Sequence, residues 1–265
     1  MSFLSLWLTS GLVILGLTTL LWLLSLKLKD SSIVDIFWGA GFVIVFWAAT
    51  FITPGQLAPR LMLLGTVVTV WGLRLSPYIY SRNKGKSEDF RYAAWRAEAG
   101  TSWWWRSFFK VFFLQGVLMW IVAIPLVAAQ LGDVTSPFKC LDYTGAALWL
   151  VGFIFEAGGD WQLARFKKNP ENKGKLLTTG LWSLTRHPNY FGDAAQWWGF
   201  YLIAASTGAL WTIFSPIIMT FLLMRVSGVV MLEKTLKDTK PGYADYIART
   251  SEFFPWLPRR NKRKG

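Results

Sequence analysis

The chain is poor in the residues that build most soluble catalytic centres. A single cysteine, Cys140, excludes an internal disulfide and any cysteine metal cluster. One histidine, His187, beside that lone cysteine leaves too few nitrogen and sulfur ligands for a catalytic zinc site, so no metal is expected. The sequence has no G-x-G-x-x-G after a strand and no P-loop, so any nucleotide is held outside the Rossmann and Walker arrangements. Acidic residues are scarce as well: 15 Asp and Glu face 28 Lys and Arg, a formal charge of +13. Where those cations fall decides what they are for. Of the 28, only Arg60 and Lys139 lie in segments expected outside a membrane; the others lie in alternate loops, at the matching ends of apolar runs, or in the C-terminal tail. That is the positive-inside pattern rather than a nucleic-acid patch, and no nucleic-acid partner is expected.

What is abundant is apolar: 53% hydrophobic residues, including 17 Trp, gathered in blocks of about 20, the length that crosses roughly 30 Å of hydrocarbon. The blocks predict an all-α integral membrane protein, a bundle of seven transmembrane helices with its N-terminus outside and its C-terminus cytoplasmic. The spans fall at about 3–26, 33–52, 61–80, 108–130, 143–166, 188–205 and 209–232, in a single membrane domain over 1–265 whose residues 233–265 form a cytoplasmic tail. The first block has no basic n-region, is too long for a signal h-region and lacks a small-x-small cleavage site, so it is expected to stay as a span. Pro77 is expected to kink or end the third span. Residues 81–107, polar and closing on Trp103, Trp104 and Trp105, read as a cytoplasmic loop with an interfacial anchor. Gly39 and Gly41 are expected to admit a neighbouring backbone.

Ionisable residues inside spans need a partner or a function. Asp35, Arg74, Glu156, Asp160, Asp193, Arg225 and Glu233 all sit at the inner ends, where they either line one polar cavity open to the cytoplasm or hold the bundle together as ion pairs. Asn189, Asp193 and Trp197 recur every four residues and share one face of the sixth span, with Gln196 alongside; Glu156 and Asp160 share a face of the fifth. Pro188 suits a first helical position, so Arg186 and His187 stand beside a helix start whose amides and dipole suit an anionic group such as a phosphate. The alternative is that these two only anchor the helix at the headgroups. Lys167, Lys168, Lys173 and Lys175 add charge on the same side, either as a solvated loop or as a phosphate clamp.

Thr179-Gly180-Leu181-Trp182, Arg186-His187-Pro188-Asn189-Tyr190-Phe191-Gly192-Asp193, Pro241-Gly242-Tyr243, Tyr246 and Arg249-Thr250-Ser251 closely resemble a bacterial membrane family of unassigned function grouped with the steroid 5-alpha-reductases. The Arg-His-x-Asn-Tyr-x-Gly-Asp core is also similar to sterol C14 and C7 reductases, and a shorter Arg-His-Pro-x-Tyr form to isoprenylcysteine carboxyl methyltransferases. The resemblance implies a seven-helix reductase that binds NADPH in a cytoplasm-facing cavity of the C-terminal spans, in a bacterial inner membrane. It implies cofactor contacts at Glu156, Asp160, Lys167, Asn189, Tyr190, Asp193, Trp197, Arg225 and Glu233, to which the reading of the helix start adds Arg186 and His187. For catalysis it implies an acid at Asp35. The family's tyrosine position falls on Trp71, leaving Tyr78 as the second candidate, and the histidine one turn after Arg225 is Val229 here.

The leading expectation is therefore an NADPH-dependent reductase transferring hydride to the C=C of a lipophilic conjugated enone that enters from the bilayer, with membrane lipids as surroundings. The alternatives are an S-adenosylmethionine-dependent methyltransferase and a non-catalytic lipid-binding protein.

Overall fold

The computed structural model describes residues 1–53, 58–226, 229, 233, 236–237 and 239–259. Among them no strand forms, apart from one isolated bridge between Thr185 and Ser251. Among the described residues five helical runs are long and apolar enough to cross a membrane: Phe3–Leu28, Ile33–Ile52, Pro59–Asn83, Phe90–Val122 and Cys140–Lys168. The chain is an integral membrane protein. It divides into two compact units, Met1–Asp142 with Phe200–Ser215, and Tyr143–Gly199 with Pro216–Gly265.

In the first unit, α1 (Phe3–Leu28) begins where Ser2 Oγ accepts the Ser5 amide and stops at Lys29, which adopts a left-handed φ of 55°. Helix α2 (Ile33–Ile52) packs on α3 (Pro59–Asn83) through glycines, as the sequence predicts: a Cβ on Gly39 would sit 2.7 Å from the Gly72 carbonyl oxygen. The Ala40 amide donates to Ser76 Oγ at 2.9 Å across the same contact. Pro59 opens α3, where a missing N–H is no loss. Pro77 does not end the helix, which continues through it to Asn83. The outer turn expected over 53–60 lies partly outside the described residues.

The largest departure is in 81–107. Where a loop is expected, α4 (Phe90–Ala99) forms. Asp89 caps it by accepting the Arg91 amide at 3.0 Å, four alanines favour it, and Gly100 closes it at φ 55°. It is docked rather than free in solvent: Arg96 makes two hydrogen bonds of 2.8 Å to Glu88, whose carboxylate also accepts the Ser31 amide at 2.6 Å. Helix α5 (Trp103–Ser107) runs through a π segment, Phe108–Phe113, into α6 (Leu114–Val122); after Ala123 a short α7 (Ile124–Ala128) contains Pro125. The helical run that covers the expected fourth span thus starts before 108 and is interrupted near its far end.

At the opposite end of this unit Arg60, in the segment expected outside, is 1% exposed. Its Nε donates to both Asp142 carboxylate oxygens at 3.0 and 3.1 Å, its Nη2 to the Pro137 carbonyl at 2.7 Å, and its Nη1 to Ser136 Oγ at 3.0 Å and to the Asp133 carbonyl. Asp142 also accepts from the Ser206 hydroxyl at 2.5 Å and the Lys139 amide at 2.7 Å.

The second unit is built on a glycine seam between α8 (Cys140–Lys168) and α10 (Pro188–Ser206), with α9 (Leu181–Leu184) leading into the latter. A Cβ on Gly199 would lie 2.7 Å from the Gly145 carbonyl oxygen, one on Gly152 2.6 Å from that of Gly192, and one on Gly159 3.0 Å from the Pro188 ring. The pairing order makes the two helices antiparallel, and only hydrogen at these positions lets the backbones touch. α10 starts at Pro188 as expected. In place of one regular seventh span, a 3-10 turn, Leu210–Ile213, leads into α11 (Phe214–Phe221) and a π turn, Leu222–Val226; most of 227–232 lies outside the described residues. α12 (Tyr243–Arg249) closes the tail.

Candidate functional site

The seam brings the polar residues of the second unit together in pairs. Asn189 Nδ2 donates to Asp160 Oδ1 at 3.1 Å, and one level deeper Gln196 Nε2 donates to Glu156 Oε2 at 2.6 Å. The four-residue spacing on each helix produces both pairs once the glycines set the register. Glu156, Asp160 and Asp193 are buried, and Gln196 and Trp197 are wholly so. Tyr190 is half-buried, with its ring 5.8 Å from that of His187.

Arg186 and His187 do not lie at an exposed headgroup layer; they are 7% and 1% exposed. Arg186 Nε donates to Glu233 Oε1 at 2.7 Å and its Nη1 to the Thr250 carbonyl at 2.6 Å, while its backbone amide donates to the Ser251 carbonyl at 2.9 Å. His187 Nε2 lies 3.1 Å from the same Glu233 oxygen. That contact places the proton of a neutral ring on Nε2 and leaves Nδ1 as an acceptor. Thr185 Oγ1 donates to the Phe253 carbonyl at 2.9 Å, so the segment before α10 is stitched to the tail on both sides. Lys167 and Arg225 are exposed.

Burial alone would raise the Glu233 carboxyl, but hydrogen bonds from His187 and Arg186 outweigh it and hold the group down to about 2, against an ordinary 4.5. A depressed carboxylate contributes stability that is complete above its unfolded value and lost as pH falls towards its folded one. The melting-temperature gap between wild type and Glu233→Gln in detergent is therefore expected to be widest at neutral pH and to close between about pH 4.5 and 2; a gap that stays constant through that window would remove Glu233 from the ion-pair role. Burial, and then the Glu233 charge, push the neighbouring Tyr243 hydroxyl up to about 12.

Three buried acceptors of this unit have no hydrogen-bond partner among the described residues: His187 Nδ1, Asn189 Oδ1 and Gln196 Oε1. Buried polar atoms are rarely left so, and each asks for a donor from elsewhere. A nicotinamide carboxamide and ribose hydroxyls are such donors, so these residues fit that cofactor.

The catalytic candidates belong to the first unit. Asp35 is bound on both oxygens: Tyr92 donates its hydroxyl to Oδ1 at 2.7 Å and Arg91 Nη2 donates to Oδ2 at 3.0 Å. Gln115 Nε2 donates to the Tyr92 oxygen at 3.0 Å, and Gln115 Oε1 accepts from Trp38 Nε1 at 2.6 Å. Tyr92 is 3% exposed and packs with Val34, Trp103, Val111 and Phe112. Tyr78 lies elsewhere on α3, with the Arg74 and Arg82 guanidinium groups 5.6 and 5.9 Å from its ring. The loop-like composition of 81–107 hides Tyr92; the cap at Asp89 and the closing Gly100 are the signals of its helix.

The chain is 27% identical over 272 residues to Uncharacterized protein C594.04c of Schizosaccharomyces pombe, covering 91% of this chain and 77% of that protein. It is 36% identical over 106 residues to Probable O-methyltransferase ustE of Ustilaginoidea virens, 38% of this chain and 36% of that one. It is also 36% identical over 73 residues to 3-oxo-5-alpha-steroid 4-dehydrogenase 1 of Mus musculus, 27% of this chain and 29% of that one. The chain thus spans about a third of the length of these last two relatives. No solved structure matches it. Residues 21–250, well over half of the chain, match the family described as "Protein of unknown function (DUF1295)", and the chain belongs to that family.

Proposed function

We propose that the protein is an NADPH-dependent membrane reductase that transfers hydride to the C=C of a lipophilic conjugated enone, steroid-like or another lipid, reaching it from the bilayer. The observation that carries this reading is the seam of α8 and α10, where Asp160 and Asn189 pair beside three unpartnered buried acceptors. The partial likeness to a steroid dehydrogenase supports it. When bound, NADPH supplies hydride to the β carbon of the enone. Asp160, Asn189, Gln196 and His187 would accept from its carboxamide and sugar hydroxyls, Glu156 holds Gln196, and Asp193, Tyr190 and Trp197 would shape the surroundings. Lys167 and Arg225 would meet the phosphates. Arg186 and Glu233, which engage each other, position this segment.

Charge that gathers on the carbonyl oxygen during hydride transfer needs a proton donor. Asp35, when protonated, donates to the Tyr92 oxygen and frees the Tyr92 hydroxyl to protonate the substrate; Arg91 then holds the carboxylate that remains. Tyr92 takes in this reading the place that the sequence offers to Tyr78. Seven spans, with the N-terminus outside and the tail in the cytoplasm, accord with the placement of the cations.

A methyltransferase using S-adenosylmethionine is the second reading, favoured by the likeness to a fungal O-methyltransferase. One measurement separates them. NADPH at about 100 times its dissociation constant is expected to stabilise the purified protein by about 2.7 kcal/mol, seen as a raised melting temperature. Asn189→Ala and Asp160→Ala are expected to weaken that binding about tenfold or more, since hydrogen bonds to charged groups contribute about 1.5–3 kcal/mol. A response to S-adenosylmethionine without one to NADPH favours the second reading, and silence to both favours a non-catalytic lipid-binding protein.

A further inference from the structure

A cleft of about 410 Å³ opens between the C-terminal turns of α8 and the loop over 169–180, lined by Trp161, Gln162, Arg165, Asn169 and Thr179 among others. The loop is pinned to the helix on both sides of it: Asn172 Nδ2 donates to the Phe166 carbonyl at 3.0 Å, and the Leu181 amide donates to Gln162 Oε1 at 3.0 Å. Those bonds occupy acceptors and leave donors facing the cleft. Gln162 Nε2, Asn169 Nδ2 and the Arg165 guanidinium make no hydrogen bond among the described residues, and Arg165 stands 5.4 Å from the Trp161 ring centroid. Arg165 lines the cleft and no carboxylate does, and residues 161–180 around it contain four lysines against one carboxylate, Glu171. The cleft therefore suits an anion.

A second observation says what kind. Leu150, Ile154 and Trp161 share the α8 face that leads into the cleft, being four and seven residues apart, and are 53%, 53% and 59% exposed. A soluble anion has no use for that stripe, whereas an acyl chain does. We infer that this cleft is a specific site for an anionic phospholipid of the surrounding bilayer. Its phosphate is held by Arg165 and the Gln162 and Asn169 amides, and its chain lies along Leu150, Ile154 and Trp161. Tryptophan at the junction of headgroup and chain is where its amphipathic ring is favoured. The cleft shares no residue with the Asp160–Asn189 pair, and lipid retention is read without turnover.

The test is native mass spectrometry of the detergent-purified protein titrated with dioleoyl phosphatidylglycerol or dioleoyl phosphatidylcholine. Phosphatidylglycerol is expected to be retained about tenfold more strongly. Arg165→Gln is expected to remove most of that preference, on the order of fivefold for one interfacial arginine, and Trp161→Ala to weaken both lipids. Arg106→Gln, which alters an exposed arginine stacked on Trp105, is expected to change neither. Both cleft residues are exposed, and an unchanged melting temperature confirms that each variant folds. Equal retention of the two lipids, or wild-type preference in Arg165→Gln, overturns the site. Displacement of phosphatidylglycerol by millimolar inorganic phosphate also overturns it and identifies a free-anion site instead.

Discussion

Arg60→Ala is expected to lower the stability of the first unit by about 3–5 kcal/mol, the usual consequence of removing one partner from a buried ion pair. The reason lies less in the lost attraction than in what is left. Asp142 is 1% exposed, and without the guanidinium its charge keeps only the Ser206 hydroxyl and the Lys139 amide. The carbonyls of Asp133 and Pro137 lose their donor in the same step. Arg60→Lys is expected to recover little, since one ammonium cannot reproduce a fork that reaches four residues. Lys139→Ala provides the contrast. Its ion pair with Asp133 is nearly half exposed on both sides, and loss of that pair should change stability far less than loss of Arg60 does. Thermal or denaturant unfolding in one detergent reads all three. An Arg60→Ala variant as stable as Lys139→Ala would show that the buried charges contribute nothing net. Replacing Arg60 and Asp142 together by apolar residues should restore much of the loss, because no orphaned charge remains.

In the proposed reductase, Tyr92→Phe is expected to reduce turnover about 100-fold or more while leaving NADPH affinity within a factor of two. A positioned general acid contributes roughly 10²–10⁴ to rate, and Phe keeps the ring that packs against Val34 and Trp103 while deleting only the hydroxyl. Asp35→Asn should show the same split. The double variant should be little worse than either single one, because two groups that pass one proton act as a unit. NADPH oxidation with a panel of detergent-dispersed enones is the assay, with cofactor affinity measured separately by melting-temperature shift. A Tyr92→Phe enzyme with wild-type rate would exclude this tyrosine. If Tyr78→Phe were the slow variant instead, the proton route would run through α3 and the Asp35–Tyr92 bond would be structural.

These two residues also mark how far the sequence could be read. The α8–α10 seam was legible: apolar runs, Pro188 at a helix start, and polar residues four apart on each helix foreshadow the Asp160–Asn189 pair. The glycines at 145, 152 and 159, each seven residues on from the last, and those at 192 and 199 repeat the same message, since both sets stay on one helix face. Asp35 drew notice because a carboxylate in an apolar run needs a partner. Its partner was not legible. Tyr92 is 57 positions away, on a helix whose polarity and tryptophans resemble a loop, and nothing local dictates that the helix folds back. The burial of Arg60 is not legible in the sequence for a related reason. Beside Pro59 it has the composition of an outer turn, and its burial depends on Asp142, 82 positions later. The π segment at Phe108–Phe113 likewise leaves no trace in a pattern of period 3.6.

The wiring of Arg186 also orders events in time. Its acceptors follow it in the chain by 47, 61 and 64 positions, at Glu233, Ile247 and Thr250. A ribosome therefore delivers the guanidinium well before anything that can neutralise it, and the nascent second unit waits with a buried cation until the last stretch emerges. Completion of the C-terminus becomes the event that licenses the unit to close. A chain cut short before Glu233 would carry an unanswered positive charge at the foot of α10, a mark by which membrane quality control can tell unfinished molecules from finished ones.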